Sequence, residues 1–286
     1  MTATARFTMT TNERKIAVVT GAASGIGRAL AIRFGRAGYG GVAITDVNEF
    51  GLSETADEIE RLGVAVLAQK ADVSDRVQVD ALRDRTLERF GRVSHLVNNA
   101  GVGLIGRFDQ LSIDDFEWLM GINFWGVVNG CKAFLPTLLD QPESAIVNIS
   151  SVFGLIAPEE QSAYSASKFA VRGFTESLRH ELEGTSVFVT CVHPGGIRTN
   201  IVRNSRVGKD APDEWKQQGT KLFEKVAKTS SEEAANVIFE GIAKRDTRIL
   251  IGKDARSISH ISRMFPKRYL RIIERLNGHK MSLRKK

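Results

Sequence analysis

The stretch IAVVTGAASGIG, residues 16–27, decides how the rest of the chain is read. Its first five residues form a short, continuous run rich in β-branched side chains, the pattern of a strand buried on both faces. The next seven place glycines at 21, 25 and 27, and a helical pattern follows over 25–37. Such a turn needs glycine because the backbone must bend sharply and approach a ligand with no Cβ in between. The helix that follows offers free N–H groups and the positive end of its dipole, a ready site for phosphate. Strand, turn and helix in direct succession therefore predict a nucleotide-binding unit.

The same alternation recurs outward from this unit. Further strand patterns lie at 42–45, 64–69, 94–98, 145–149, 187–192 and 248–251, and helical patterns at 49–62, 75–90, 113–139, 163–182 and 231–244. Repeated strand–helix alternation implies right-handed crossovers and a parallel sheet covered on both sides. The expected fold class is α/β, a Rossmann-type doubly wound parallel sheet in one domain over 15–252. A polar, Thr-rich segment at 1–14 is expected to be flexible. Residues 200–226, rich in Lys, Asp, Gln and Gly, break the alternation and are expected to form a substrate loop or lid.

A chain of 286 residues with 42% hydrophobic and 26% charged side chains is ordinary for a soluble protein. The opening lacks the apolar core of a signal peptide and no run approaches a membrane span, so a cytoplasmic location is expected. Cys131 and Cys191 show no metal-ligand spacing and read as reduced, buried thiols, and no metal is expected. The net charge of +7 is local: residues 253–286 hold 11 Lys/Arg against 2 Asp/Glu, which leaves −2 for the remainder. Nucleic acid is therefore not expected as a ligand of the body.

With TGAASGIG the chain resembles the short-chain dehydrogenase/reductase family, whose turn has this G-xxx-G-x-G spacing. The resemblance continues in order through Asp72–Val73, NNAG at Asn98–Gly101, Asn123, Ser151, YSASK from Tyr164 to Lys168, and PGGIRT from Pro194 to Thr199. It implies that Gly21, Ser24, Gly25, Ile26 and Gly27 cradle a nicotinamide dinucleotide and that Asp72 and Val73 meet its adenine. Asn98, Ala100 and Gly101 would line the cofactor further on. Pro194, Gly195, Ile197 and Thr199 would meet the nicotinamide end. His193 stands where the family often has Asn, and is read as structural because its neighbours already supply an acid/base group.

Asp46 closes the second strand, where a carboxylate can accept hydrogen bonds from both adenosine ribose hydroxyls and repel a 2′-phosphate. Family members that prefer NADP usually carry a basic residue beside this position or in the glycine turn, and here Val47 and Ser24 stand there. The expected cofactor is NAD rather than NADP.

Tyr164 and Lys168 lie four apart in a helical pattern, so they project from one face. A nearby ammonium group favours phenolate, which would tune Tyr164 toward work as a general acid/base. Ser151, at the end of the fifth strand, stands at the carboxyl edge where open α/β sheets bind ligands. It would hold the substrate oxygen against Tyr164. The resemblance adds Lys168 as a ribose ligand and Asn123 as the holder of a water in a proton relay. The expected reaction is hydride transfer between the nicotinamide and a secondary alcohol or ketone. Val152, Phe153, Leu155, Gly195 and Gly196 are expected to face the substrate, and their apolar character suggests a lipophilic or aromatic one.

The resemblance also implies a homodimer or homotetramer. In the basic extension, PKRYLRIIERLNG (266–278) places Tyr269, Ile272, Ile273 and Leu276 at i, i+3, i+4 and i+7. This amphipathic helix would pack on protein, cap the cleft or make weak contact with an anionic membrane surface. Two other readings of the whole chain stay open: a catalytically silent NAD(H)-binding regulator or scaffold, and a membrane-surface lipid dehydrogenase that uses the basic extension.

Overall fold

Strands with no polar face to show to water end up at the centre of the molecule. In chain order the elements are β1 (Ile16–Thr20), α1 (Gly25–Arg36), β2 (Gly41–Asp46), α2 (Glu49–Glu60), β3 (Ala65–Lys70), α3 (Arg76–Phe90), β4 (His95–Asn98) and β5 (Leu104–Ile105). They continue with α4 (Ile113–Met120), α5 (Gly126–Leu139), β6 (Ser144–Ile149), α6 (Ser162–Glu181), β7 (Val187–Pro194) and β8 (Arg206–Val207). The last are α7 (Glu214–Val226), α8 (Ser231–Ala243), β9 (Arg248–Ile251), α9 (Lys253–Met264) and α10 (Tyr269–Asn277). The computed structural model describes residues 15–212 and 214–277. The expected flexible segment 1–14 and Gly278, the last residue of the amphipathic stretch 266–278, lie outside the described residues.

Seven strands form one parallel sheet in the order β3-β2-β1-β4-β6-β7-β9. The chain moves outward from β1 to β3, then returns to place β4 on the other side of β1. That reversal opens a crevice beyond the carboxyl ends of β1 and β4, where open α/β sheets bind ligands. β1, β4, β6 and β7 are buried throughout, whereas the edge strand β3 is partly exposed. One face of the sheet packs Leu30, Phe34, Ile59 and Ile238 from α1, α2 and α8. The other packs Leu82, Phe134, Leu138 and Val171 from α3, α5 and α6. This is the single-domain, doubly wound architecture that the alternation predicted.

Three elements differ from the expectation. The pattern 113–139 is not one helix: a π-helical turn, Gly121–Trp125, separates α4 from α5. Glycines bracket that turn, and Gly126 lies so close to Val73 that a Cβ there would come within 2.6 Å of its Cγ2. The 200–226 segment is not loop throughout. β8 pairs in parallel with β5, and α7 supplies an amphipathic helix that buries Trp215. Finally, the basic extension begins with α9, directly after β9, and Tyr269 rather than Pro266 opens the second helix.

Candidate active site

The turn after β1 is shaped by close approaches that only glycine permits. Gly21 has φ +65°, and a Cβ there would lie 2.7 Å from Cα of Ala100. Gly25 has φ +57° and faces the Thr199 methyl, where a Cβ would come within 3.1 Å. Ala22 N–H donates to the Thr45 carbonyl at 3.1 Å, and Ala23 N–H to the Asp46 carboxylate at 3.0 Å. The turn is therefore strapped to β2, while Gly21, Ser24, Gly25 and Ile26 line a cleft of about 1400 Å³. Gly27 does not reach the cleft. It is buried where α1 crosses the turn, with the Gly21 carbonyl directly against it.

Asp46 lines the same cleft, and its second carboxylate oxygen accepts the Asn48 N–H at 3.0 Å. Turn bracing and ligand binding are compatible, because each carboxylate oxygen retains acceptor capacity after one hydrogen bond. Asp72 and Val73 also line the cleft. Asp72 accepts both the backbone N–H and the hydroxyl of Ser74, at 2.9 and 2.7 Å.

Of the two asparagines in NNAG, Asn99 lines the cleft and Asn98, the one expected there, does not. Asn98 points into the body, where its amide donates to Asn148 at 2.8 Å and to Cys131 Sγ at 3.3 Å. As the last residue of β4 it follows the pleat away from the cleft. Asn99, beyond the strand, lines the cleft and donates to the carbonyls of Thr20 and Gly21 at 2.9 and 3.1 Å. Thr20 in turn accepts the N–H groups of Asn99 and Ala100, both at 3.0 Å. Ala100 and Gly101 line the cleft as expected.

Ser151, Tyr164 and Lys168 meet in this cleft. The adjacent serines divide in role: Ser150 Oγ donates to the Lys168 carbonyl at 2.8 Å, whereas Ser151 Oγ accepts the Phe153 N–H at 3.1 Å and faces Tyr164. Lys168 is fully buried, its Nζ donating to the Ile149 carbonyl at 3.0 Å and lying 5.7 Å from the centre of the Tyr164 ring. Burial lowers this ammonium to about 8. Burial also raises the Tyr164 phenol to about 12, opposed by its hydrogen bond with Ser151. This reverses the direction expected from YxxxK. In the chain alone, desolvation of the phenolate outweighs the distant ammonium.

Asn123 sits in the π-helical turn and is completely buried. Its side chain accepts the Val102 N–H at 2.8 Å and donates to the Val102 carbonyl at 3.0 Å and to Ser167 at 3.2 Å. Both amide hydrogens are thus committed to protein, and the side chain does not line the cleft. Its place is nonetheless close to Lys168, since a Cβ on Gly101 would lie 3.2 Å from Asn123 Oδ1 and 3.3 Å from Lys168 Nζ.

Beyond β7, Pro194, Gly195, Gly196, Ile197 and Thr199 line the cleft together. A residue that the motifs do not contain holds this turn. Asp254, in the first turn of α9, accepts the Gly196 N–H at 2.7 Å, and its carboxylate occupies the space a Cβ on Gly195 would need. Nothing in the sequence links 254 to 196. The only hint was an acidic residue just past a glycine at a helix start.

His193 is completely buried, with Nδ1 3.0 Å from the Ser151 carbonyl. A carbonyl can only accept, so Nδ1 carries the proton and the ring steadies the Ser151 backbone. Burial lowers its pKa to about 4. The folded chain resists a proton that the unfolded chain takes up near 6.5, so stability falls as pH drops from 6.5 toward 4, by about 2–3 kcal/mol at pH 4.5. His193→Asn is expected to lose that much less stability between pH 7 and 4.5 in urea titrations. Buried His95, lowered to about 3, acts in the same direction and is common to both proteins. Identical pH profiles would refute the assignment.

On the far side, Val152 and Phe153 line the cleft, and the Phe153 ring meets Tyr164 edge-on at 6.1 Å. Leu155 is buried away from it. Leu222, Phe223 and Val226 of α7 and Ile258 of α9 complete an apolar wall, with Leu276 of α10 at its edge. Part of the α10 stripe packs on the chain itself: Ile273 clusters with Val152, Ile156 and Ile258, and Ala157 N–H donates to the Tyr269 hydroxyl at 3.2 Å, while Leu276 stays exposed.

A glycine turn, a Tyr–Lys pair and a serine thus converge at the switch point of a doubly wound, Rossmann-type sheet. A family model described as short chain dehydrogenase matches residues 15–210, and the chain belongs to that family. A Mycobacterium tuberculosis protein named as an oxidoreductase, SadH, is 43% identical over 268 residues, 93% of this chain and 96% of that one. A short chain dehydrogenase/reductase from Burkholderia phymatum in complex with NAD superposes with a TM-score of 0.80 at 32% identity, over 97% of this chain and all of that one. An alcohol dehydrogenase from the archaeon Thermococcus sibiricus, complexed with 5-hydroxy-NADP, gives 0.69 at 27% identity, over 82% of this chain and 93% of that one. Among the described residues no helix is long and apolar enough to cross a membrane, and no group of His, Cys, Asp or Glu could hold a metal.

Proposed function

We propose that the chain is an NAD-preferring oxidoreductase that interconverts a lipophilic secondary alcohol and its ketone. The observation that carries this reading is the convergence of Ser151, Tyr164 and Lys168 beside the glycine turn in one cleft. The cleft suits a dinucleotide, because Gly21 and Gly25 leave backbone open where any side chain would intrude and Asp46 stands at the end of β2. When bound, the nicotinamide supplies a hydride acceptor or donor.

The protein's own part is the proton. Ser151 holds the substrate oxygen by a hydrogen bond, and Tyr164 takes the hydroxyl proton during oxidation or returns it during reduction. Lys168 binds the nicotinamide ribose and lowers the phenol once the positive nicotinamide ring joins it. Asn123 holds a water in a proton relay from Lys168 Nζ to solvent and, with both of its amide hydrogens engaged, would offer that water an acceptor oxygen. Pro194–Gly196, Ile197 and Thr199 orient the carboxamide, with Asp254 bracing the turn. Phe153 and Gly196, with α7 as the lid, bound the substrate. Like many of its relatives the chain works as a homodimer or homotetramer, in the cytoplasm.

The test is turnover of lipophilic and aromatic secondary alcohols with NAD and NADP in parallel. Wild type is expected to favour NAD. Asp46→Asn is expected to lower the NAD/NADP ratio of kcat/KM by tenfold or more, because it removes like-charge repulsion of the 2′-phosphate. An unchanged ratio would refute the role given to Asp46.

A further inference from the structure

The sequence offered the apolar stripe of 266–278 for a membrane surface, and the fold uses that stripe internally: Tyr269 and Ile273 pack against the segment that follows Ser151. What the fold leaves outside is different. Residues 263–268, Arg-Met-Phe-Pro-Lys-Arg, form the connector between α9 and α10, and all six are exposed. Met264 is 70% exposed and Phe265 50%. An isolated apolar side chain at the surface is ordinary. Two adjacent ones, flanked by Arg263, Lys267 and Arg268, are not explained by packing among the described residues.

The charge pattern extends this surface. Arg268, Arg271 and Arg275 recur at i, i+3 and i+7, and all are exposed along the outer side of α10. Among the described residues, Arg263, Lys267, Arg268, Arg271 and Arg275 form no ion pair. Exposed arginines without an ion pair among the described residues also occur elsewhere, at 36, 61, 76, 85, 89 and 92, so what sets this group apart is its place around two protruding apolar side chains. Cations left unmatched around two protruding apolar side chains complement a surface that is anionic outside and apolar within. Leu276, 72% exposed, ends the same helix at the edge of the apolar cleft.

We propose that the α9–α10 connector and the outer side of α10 dock on an anionic lipid surface. Met264 and Phe265 enter the headgroup boundary, and Arg268, Arg271 and Arg275 face the anionic headgroups. Docking would bring the Leu276 edge of the cleft to the lipid, the phase in which a lipophilic substrate is dissolved. That consequence rests on the proposed chemistry, whereas the docking itself does not.

The test uses the full chain and sedimentation with vesicles of phosphatidylcholine alone or containing a third phosphatidylserine. Wild type is expected to pellet with the mixed vesicles, to stay in solution with pure phosphatidylcholine, and to be released by 0.5 M salt. Each of Arg268→Gln, Arg271→Gln and Arg275→Gln is expected to weaken binding about fivefold, the effect of one basic side chain near an anionic surface. Met264→Ser with Phe265→Ser is expected to abolish pelleting while melting as wild type. Failure to pellet with phosphatidylserine overturns the proposal. So does pelleting unaffected by these substitutions, dissociation of an oligomer by Met264→Ser with Phe265→Ser, or equally tight retention on DNA. Vesicle binding is read without turnover, so it is decided independently of the proposed reaction.

Discussion

Tyr164→Phe is expected to lower turnover by about three orders of magnitude while leaving the fold and NAD binding intact. The substitution removes one oxygen whose assigned work is proton transfer. The ring stays edge-on to Phe153 and half-buried as before. Removing a hydroxyl whose raised pKa reflects poor solvation should cost little stability. The pH dependence supplies a second readout. Burial holds the phenol up to about 12 in the protein alone and the bound nicotinamide would bring it down, so its ionised fraction still rises with pH below the resulting value. Alcohol oxidation by wild type should therefore increase from pH 6 to 8, and the residual activity of Tyr164→Phe should not. A variant that kept its rate, or its slope, would remove Tyr164 from the mechanism.

Gly27→Ala is the second large effect, and local reasoning gives it the wrong sign. Gly27 lies inside α1, where alanine is favoured by about 1 kcal/mol on helix propensity. A Cβ at this position would overlap the Gly21 carbonyl oxygen and the Asn99 amide, and lie 2.8 Å from the Gly21 carbonyl carbon. Backbone on one side and a doubly hydrogen-bonded amide on the other leave nothing free to yield. The helix must back away from the turn or the turn must open. The expected cost is about 2–3 kcal/mol, as for overpacking a filled interior. NAD affinity is expected to fall by at least a hundredfold, because the cradle is the part displaced. Gly173→Ala in α6 is the control: nothing lies within 4 Å of its Cβ position, so it should stabilise by up to about 1 kcal/mol. Urea midpoints and NAD titrations for both variants decide the matter, and equal behaviour would refute the close-approach argument.

The two glycines show why so much was legible and where legibility stopped. Periodicity reports which faces are buried, and the seven strand patterns therefore appear as seven strands of one sheet. It does not report what approaches a face from elsewhere in the chain. Asn98 and Asn99 are indistinguishable as letters. The end of β4 turns the first toward Asn148 and frees the second to hold the glycine turn. The helical pattern over 113–139 was continuous, and the π turn that places Asn123 against Val102 left only Gly121 and Gly126 as signs.

The sequence by itself determined the alternation of strands and helices, the glycine turn at the end of β1, and the order of motifs that marks a short-chain dehydrogenase. These depend on local spacing and on which residues avoid water, and both are written in the chain. Tertiary structure decided the rest. It assigned the buried hydroxyl to Ser150 and the one facing Tyr164 to Ser151. It brought Asp254 to the Gly196 turn across 58 residues. It turned Tyr269 and Ile273 of α10 inward and left Met264, Phe265 and Leu276 outside. It also raised the Tyr164 phenol in the protein without cofactor, because desolvation depends on what surrounds a group in space and not on its neighbours in sequence.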